Sequence, residues 1–273
     1  MTKQELTAEI FKKNSMLCVG LDSDINLIPK HLLKYADPIF EFNKQIIDAT
    51  HQVTVAYKPN IAFYEAMGIE GWKSLEKTIQ YLNKNYPECF TIADAKRGDI
   101  GNTSAMYAKA FFEWLNFHSV TVAPYMGNDS VTPFLSYKNK WVILLGLTSN
   151  KGSNDFQFQP IENEHLYEKV IRTAQQWGSS EQLMFVTGAT HPTQLAGIRK
   201  LAEEYFFLVP GIGAQGGSID AVCENAINSS GGLLINSARQ IIYASPNEDF
   251  AETAYNMALQ TVKPMQKFLT ALV

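Results

Sequence analysis

Short apolar, β-branched runs recur along the whole chain, and most of them end on polar or charged residues. They are MLCVGLD (16–22), VTVAYKPN (53–60), FTIADAK (90–96), SVTVAP (119–124), WVILLGLTS (141–149), LMFVTGAT (183–190), YFFLVPGIG (205–213) and GGLLINSA (231–238). Each has the length and composition of a strand. The segments between them change period. In EGWKSLEKTIQYLNKN (70–85), Trp72, Leu75, Ile79 and Leu82 recur every three or four residues, which predicts an amphipathic helix. Residues 101–117 and 249–268 read the same way, and another helical pattern starts at Ile219. The link after the fourth run is short and less regular.

Eight strands alternating with helical segments predict a parallel α/β architecture. A length of 273 residues suits eight such units closed into a (β/α)8 TIM barrel. A doubly wound open sheet usually has fewer strands and a GxGxxG turn after the first, whereas the first run here ends in GLDSD. With no composition break or low-complexity tract, residues 1–273 are expected to form a single barrel domain.

Composition narrows the function classes. A net charge of −4 gives no basic surface for nucleic acid. No apolar stretch approaches the ~20 residues of a membrane span, and MTKQELTAEIFKKNS lacks the apolar region of a secretory signal. Cys18, Cys89 and Cys223 are too scattered for a disulfide framework or a zinc site, so they read as core residues in a reducing, cytoplasmic setting. His31, His51, His118, His165 and His191 show no metal-ligand spacing, and no P-loop or Ser-His-Asp set is present.

A barrel carries its chemistry at the C-terminal ends of its strands, and that is where the polar residues gather. Asp22 ends the first run, Lys58 and Asn60 the second, Asp94 and Lys96 the third, Thr148 and Ser149 the fifth, while Arg239 follows the eighth. The strand starts are expected to carry hardly any charge. On a strand, residues i and i+2 share a face, so Asp94 and Lys96 form a carboxylate–ammonium pair, and Arg97 faces away. Asp99 lies where the third helix begins; it reads equally as a helix N-cap or as a group returning to the site. The tripeptide RGD at 97–99 suggests no adhesion role in a cytoplasmic chain. Lys58 extends the pair into an alternating charge network. A neighbouring carboxylate keeps Lys96 protonated, as a proton donor rather than a Schiff-base nucleophile, and fixed cations stabilise negative charge that develops on a substrate.

PGIGAQGGS (210–218) follows the seventh run and precedes a helix. Its glycines allow backbone N–H groups to approach an anion, and loops after strands seven and eight of a barrel often hold phosphate. Arg239 adds a charged donor. The long polar loop TSNKGSNDFQFQP after the fifth run suits a lid that excludes water, and Ser149 at its root is placed to read a heterocycle. The residues alone therefore describe a cofactor-free barrel enzyme that acts on a phosphorylated small molecule, with Lys96 moving a proton.

Asp94-x-Lys96-x-x-Asp99-Ile100 with Thr103, GLD at Asp22, YKPN at Lys58, and PGIGAQGG followed by Arg239 resemble the orotidine 5′-phosphate decarboxylase family across nearly the whole chain. DAKRGDI, KPN and TSNKGS resemble its longer, type 2 branch. The resemblance implies decarboxylation of orotidine 5′-phosphate to uridine 5′-phosphate, the last step of de novo UMP synthesis, with neither metal nor organic cofactor. It implies that Lys96 protonates C6 and that Asp94 sits beside the leaving carboxylate and orders the lysines. Lys58 and Asp22 hold the ribose hydroxyls, Asn60 joins the substrate-binding set, Ser149 (with Thr148 as its alternative) reads the pyrimidine, and Gln215 and Arg239 hold the phosphate. Asp99 and Thr103 reach into the partner subunit's site of a homodimer. Ala238 departs from shorter members, which commonly have glycine before the arginine. Three rivals are a magnesium-dependent sugar-phosphate decarboxylase or aldolase of the same barrel suprafamily, a Schiff-base aldolase, and a catalytically inactive nucleotide-binding barrel.

Overall fold

A computed structural model of the chain describes residues 1–190, 192–212 and 217–272. Its strands are β1 (Leu17–Leu21), β2 (Ala56–Pro59), β3 (Phe90–Arg97), β4 (Ser119–Val122), β5 (Trp141–Leu147), β6 (Leu183–Thr187), β7 (Phe206–Val209) and β8 (Leu233–Ser237). Each pairs in parallel with the next, and β8 returns to β1, closing the (β/α)8 barrel that the eight apolar runs predict. Most strands are shorter than the runs: Val53 and Thr54 stand outside β2, and 188–190 outside β6, although Thr54, Gly188 and Ala189 remain buried.

Helices α1 (Lys3–Lys13), α2 (Pro38–Thr50), α3 (Gly68–Asn85), α4 (Gly101–Lys109), α5 (Leu166–Ala174), α6 (Pro192–Leu201), α7 (Ile219–Ala226) and α8 (Phe250–Thr270) are joined by shorter helical turns. The stripe in α3 buries Leu75, Ile79 and Leu82. The 101–117 pattern yields α4 and then a π-helical turn, Ala110–Trp114, which buries Phe111 and Phe112. The α8 helix follows β8 and returns to the first unit, where Phe250 stacks on Phe42 of α2 with centroids 5.4 Å apart. At the N-terminal end of the barrel, Trp141 lies edge-on between Phe90 at 6.2 Å and Phe206 at 6.4 Å, a solid aromatic floor.

The first residues of the strands carry no charge, but several cations on flanking helices and loops reach this floor end. They satisfy backbone carbonyls left over by the strands and helices. Lys13 Nζ donates to the His51 and Thr54 carbonyls, both at 2.9 Å, and Lys140 Nζ to the Phe117 carbonyl at 2.6 Å. The buried Arg199 guanidinium donates to five: Ala226 at 2.7 Å, Ala202 at 3.1 Å, Glu203 at 2.9 Å, Tyr205 at 2.7 Å and Gly232 at 3.0 Å. It also lies 3.7 Å from the centroid of Phe207. One side chain thus ties the ends of α6 and α7 to the start of β8. Removing it in Arg199→Met strands several carbonyls and is expected to cost about 3 kcal/mol in urea unfolding. Arg199→Lys, whose donors radiate from a single nitrogen, should recover less than half of that.

Candidate functional site

The chain around Asp22 is fixed by hydroxyl groups. Tyr64 donates to the Leu21 carbonyl at 3.2 Å, and Tyr243 donates to the Asp22 carbonyl at 2.9 Å while accepting the Asp24 N–H at 2.7 Å. Ser23 donates at 2.5 Å to Asn43, whose amide holds Tyr64 and Thr78. The Asp22 side chain is left with a buried Oδ1 that has no partner among the described residues. An acceptor this well held and unsatisfied suits a donor brought by a ligand.

Asp22 shares a cavity of about 180 Å³ with Lys58, Asn60, Asp94, Asn236 and Arg239, closed on one side by Pro210, Gly211 and Ile212. Five of the residues expected from the sequence are thereby brought together. Asp94 is the hub. Lys58 Nζ donates to its Oδ2 at 2.8 Å, Lys96 Nζ to its Oδ1 at 2.5 Å, and Thr121 Oγ1 to the same Oδ1 at 3.1 Å. Lys58 is only 4% exposed, so neither it nor Asp94 would keep its charge alone. Burial penalises the Asp94 carboxylate, but the two ammonium groups overcome this and hold its carboxyl well below the usual carboxylate range. Burial likewise disfavours the Lys58 ammonium, and Asp94 and Asp22 more than compensate, raising its pKa above the usual lysine value.

Asp94 and Lys96 do share a side, as the two-residue spacing suggests, but regular strand alternation does not deliver it. The β3–β4 register slips between Ala93, opposite Val120, and Arg97, opposite Val122. Residues 94–96 therefore bulge opposite Thr121 alone, and Lys96 takes a left-handed φ of 47°. Arg97 faces away, as expected. It pairs with Glu65 and lies 5.4 Å from the ring centroid of Tyr107 and 5.6 Å from that of Phe111.

Beside Arg239, the ends of the glycine-rich loop meet through the Gly217 N–H and the Gly211 carbonyl at 3.1 Å, and Ser218 caps α7. Gln215 lies outside the described residues, as does His191. Arg239 is exposed at the rim. The methyl group of Ala238 is accommodated by Gly20 on β1, where an added Cβ would stand 2.5 Å from that of Ala238.

Lys96 reaches Asp94 without lining this cavity, and three further expected groups stand off it. At the root of the β5 loop, Gln157 Oε1 accepts the Thr148 N–H at 2.8 Å and Gln157 Nε2 donates to Thr148 Oγ1 at 2.8 Å. Ser149, next along, presses its backbone against Gly188, where an added Cβ would lie 2.9 Å away. Asp99 makes no ion pair with Lys58 or Lys96 among the described residues; its Oδ1 accepts the Ile100 N–H at 2.7 Å, and the helix cap is Ile100. Thr103 is exposed on α4. The sequence reading missed Thr121 and Asn236. Each is a polar residue inside an apolar strand run, the one signal that sets them apart.

Elsewhere, the cysteines are core residues, as expected, and His118 has a structural role. His118 accepts the Thr91 N–H at 3.1 Å and stacks on Phe90, and burial brings its pKa down to about 3. All three cysteines are buried. Among the described residues, no helix is long and apolar enough to cross a membrane.

A parallel α/β barrel with an alternating lysine–aspartate network at its C-terminal mouth defines the class: a barrel enzyme built for charge-assisted chemistry on a small anionic substrate. Comparison gives the family. The model of the Orotidine 5′-phosphate decarboxylase / HUMPS family matches residues 15–254, and the chain belongs to that family. It is 60% identical over 269 residues to the orotidine 5′-phosphate decarboxylase of Flavobacterium johnsoniae, covering 98% of each chain. With that of Christiangramia forsetii it shares 63% over 254 residues, covering 93% of each. The structure of Leishmania donovani OMP decarboxylase superposes with a TM-score of 0.85 at 37% identity, covering 99% of this chain and 100% of that one.

The Asp94 network has a defined pH signature. Its carboxyl has a lower pKa folded than unfolded, so its stabilisation is complete above about pH 4 and is lost as the pH falls through the folded value. Asp94→Asn leaves Lys58 buried beside an amide and should cost about 3 kcal/mol at neutral pH. In urea unfolding, the gap between wild type and Asp94→Asn is expected to stay flat from about pH 7 to pH 5 and to narrow below about pH 4.

Proposed function

We propose that the chain, acting as one domain over residues 1–273, converts orotidine 5′-phosphate to uridine 5′-phosphate and carbon dioxide. It completes de novo UMP synthesis in the cytoplasm without metal or organic cofactor. The observation that carries this reading is the Asp94 carboxylate shared between Lys58 and Lys96 beside a cavity that runs to Arg239. The C6–carboxylate bond breaks, carbon dioxide leaves and its electron pair stays on C6. The Lys96 Nζ–H bond then supplies the proton, leaving a neutral amine. Lys58 and Lys96 stabilise the charge on C6, and Asp94 aims both lysines from beside the leaving carboxylate. The unsatisfied Asp22 Oδ1 and Lys58 take the ribose hydroxyls, with Asn60 beside them. Arg239 and Gln215 hold the phosphate, whose binding energy supports chemistry at the distant C6. Ser149, with Thr148 as its alternative, reads the pyrimidine.

Asp99 and Thr103 are assigned to the neighbouring subunit's site in a homodimer. Their position off the cavity of their own chain supports this. So does the exposed apolar surface around them, in which Met106 is 61% and Tyr125 is 93% exposed.

The fall in pyrimidine absorbance on adding orotidine 5′-phosphate in the presence of EDTA is the direct assay. Wild type should turn over, and Lys96→Ala should lose roughly a thousandfold or more in kcat. Silence in wild type, or activity that requires magnesium, would replace this reading with the sugar-phosphate enzyme. Shared sites predict complementation: mixing inactive Lys96→Ala and Asp99→Ala proteins should restore about a quarter of wild-type activity, since half the dimers are mixed and each has one intact site.

A further inference from the structure

We propose that Thr121 is a positioning residue for the decarboxylation, holding the Lys96 backbone and the Asp94 carboxylate in their reactive relation through one hydroxyl group. The inference rests on the reading of Lys96 as proton donor.

Thr121 is the one residue on β4 opposite the bulge, and it is only 1% exposed. A bulge leaves backbone groups without ladder partners. The Lys96 N–H is such a group, and it donates to Thr121 Oγ1 at 2.8 Å. With its acceptor role taken, the hydroxyl donates its own proton. Asp94 Oδ1, at 3.1 Å, is a charged acceptor and is nearer than the Ala93 carbonyl at 3.5 Å. Thr121 therefore grips both ends of the catalytic tripeptide, the backbone of Lys96 and the side chain of Asp94.

The strain at Lys96 gives this grip a purpose. A non-glycine residue at φ 47° is held there only when its surroundings over-determine it. The Thr121 hydroxyl is the hydrogen bond to that residue's own backbone N–H, while Lys96 Nζ is fixed through Asp94, which the same hydroxyl also contacts. The reacting nitrogen is thus located from its backbone and from its tip by one neighbour. A loss of about 1 Å in that location is enough to slow a positioned proton transfer substantially.

Thr121→Val keeps the shape and removes the hydroxyl, while Thr121→Ser keeps the hydroxyl and removes a methyl group. The valine variant is expected to lose roughly thirtyfold or more in kcat with KM and the Kd for uridine 5′-phosphate within about threefold of wild type, and the serine variant to restore kcat to within about threefold. A general loss of packing would instead move KM, Kd and Tm together. Wild-type kcat in Thr121→Val overturns the proposal, as does a Thr121→Ser defect equal to that of valine. Should wild type itself fail to decarboxylate, the functional reading fails, and a crystal structure of Thr121→Val still decides the positioning claim. Retention of the positive φ at Lys96 together with its contact to Asp94 would overturn it.

Discussion

A carboxylate that two lysines must share organises this molecule. Moving an ion from water into a protein interior costs several kcal/mol, and only close opposite charges and hydrogen bonds offset that cost. Lys58 is tolerated in the barrel because Asp94 stands 2.8 Å away, and Asp94 remains ionised because Lys58 and Lys96 both reach it. Neither lysine is independent of the other. With Asp22 near Lys58, the network carries two cations and two anions before any substrate enters, and Arg239 adds a third cation at the rim. In the proposed reaction, a substrate carboxylate arriving beside Asp94 adds one negative charge to that network, and its departure as neutral carbon dioxide moves that charge onto carbon, where Lys96 neutralises it.

That electrostatic requirement dictates backbone geometry. A regular β3 would project Asp94 and Lys96 on one side, but the bulge brings the Lys96 ammonium back onto a carboxylate only two residues away. The cost is a left-handed residue and a displaced ladder, and Thr121 absorbs part of it. The same economy of parts appears between β1 and β8, where Ala238 finds room because the residue facing it is Gly20.

Much of this was legible in the chain, and the exceptions have physical causes. Eight apolar runs announced eight barrel strands because both faces of each are buried, so composition alone marks them. Asp22, Lys58, Asn60, Asp94 and Arg239 were legible as a site because charges at the ends of apolar strands have few structural reasons to be there. Thr121 was hidden because a threonine in SVTVAP is an ordinary β-former, and its function depends on a register slip that no local pattern encodes. The floor-end cations were not foreseen for a related reason. Lys13, Lys140 and Arg199 lie outside the strand runs, and several of their carbonyl partners come from segments far away in sequence.

The two ends of the barrel show what separates a structural cation from a reactive one. At the floor, Lys140 faces a carbonyl and an amide oxygen, acceptors that take a hydrogen bond but carry no charge. Burial is then uncompensated, and the Lys140 pKa falls to about 8. At the mouth, Lys58 is more deeply enclosed, yet its pKa is raised, because its partner is an ion that itself cannot protonate without losing two contacts. A buried lysine that must stay charged beside a substrate needs that second environment. The fold can supply it only where carboxylates and cavity coincide, at the C-terminal ends of the strands. The placement of charge in this barrel thus follows from the difference between a carbonyl and a carboxylate as partner: the first end can only hold, and the second can hold and react.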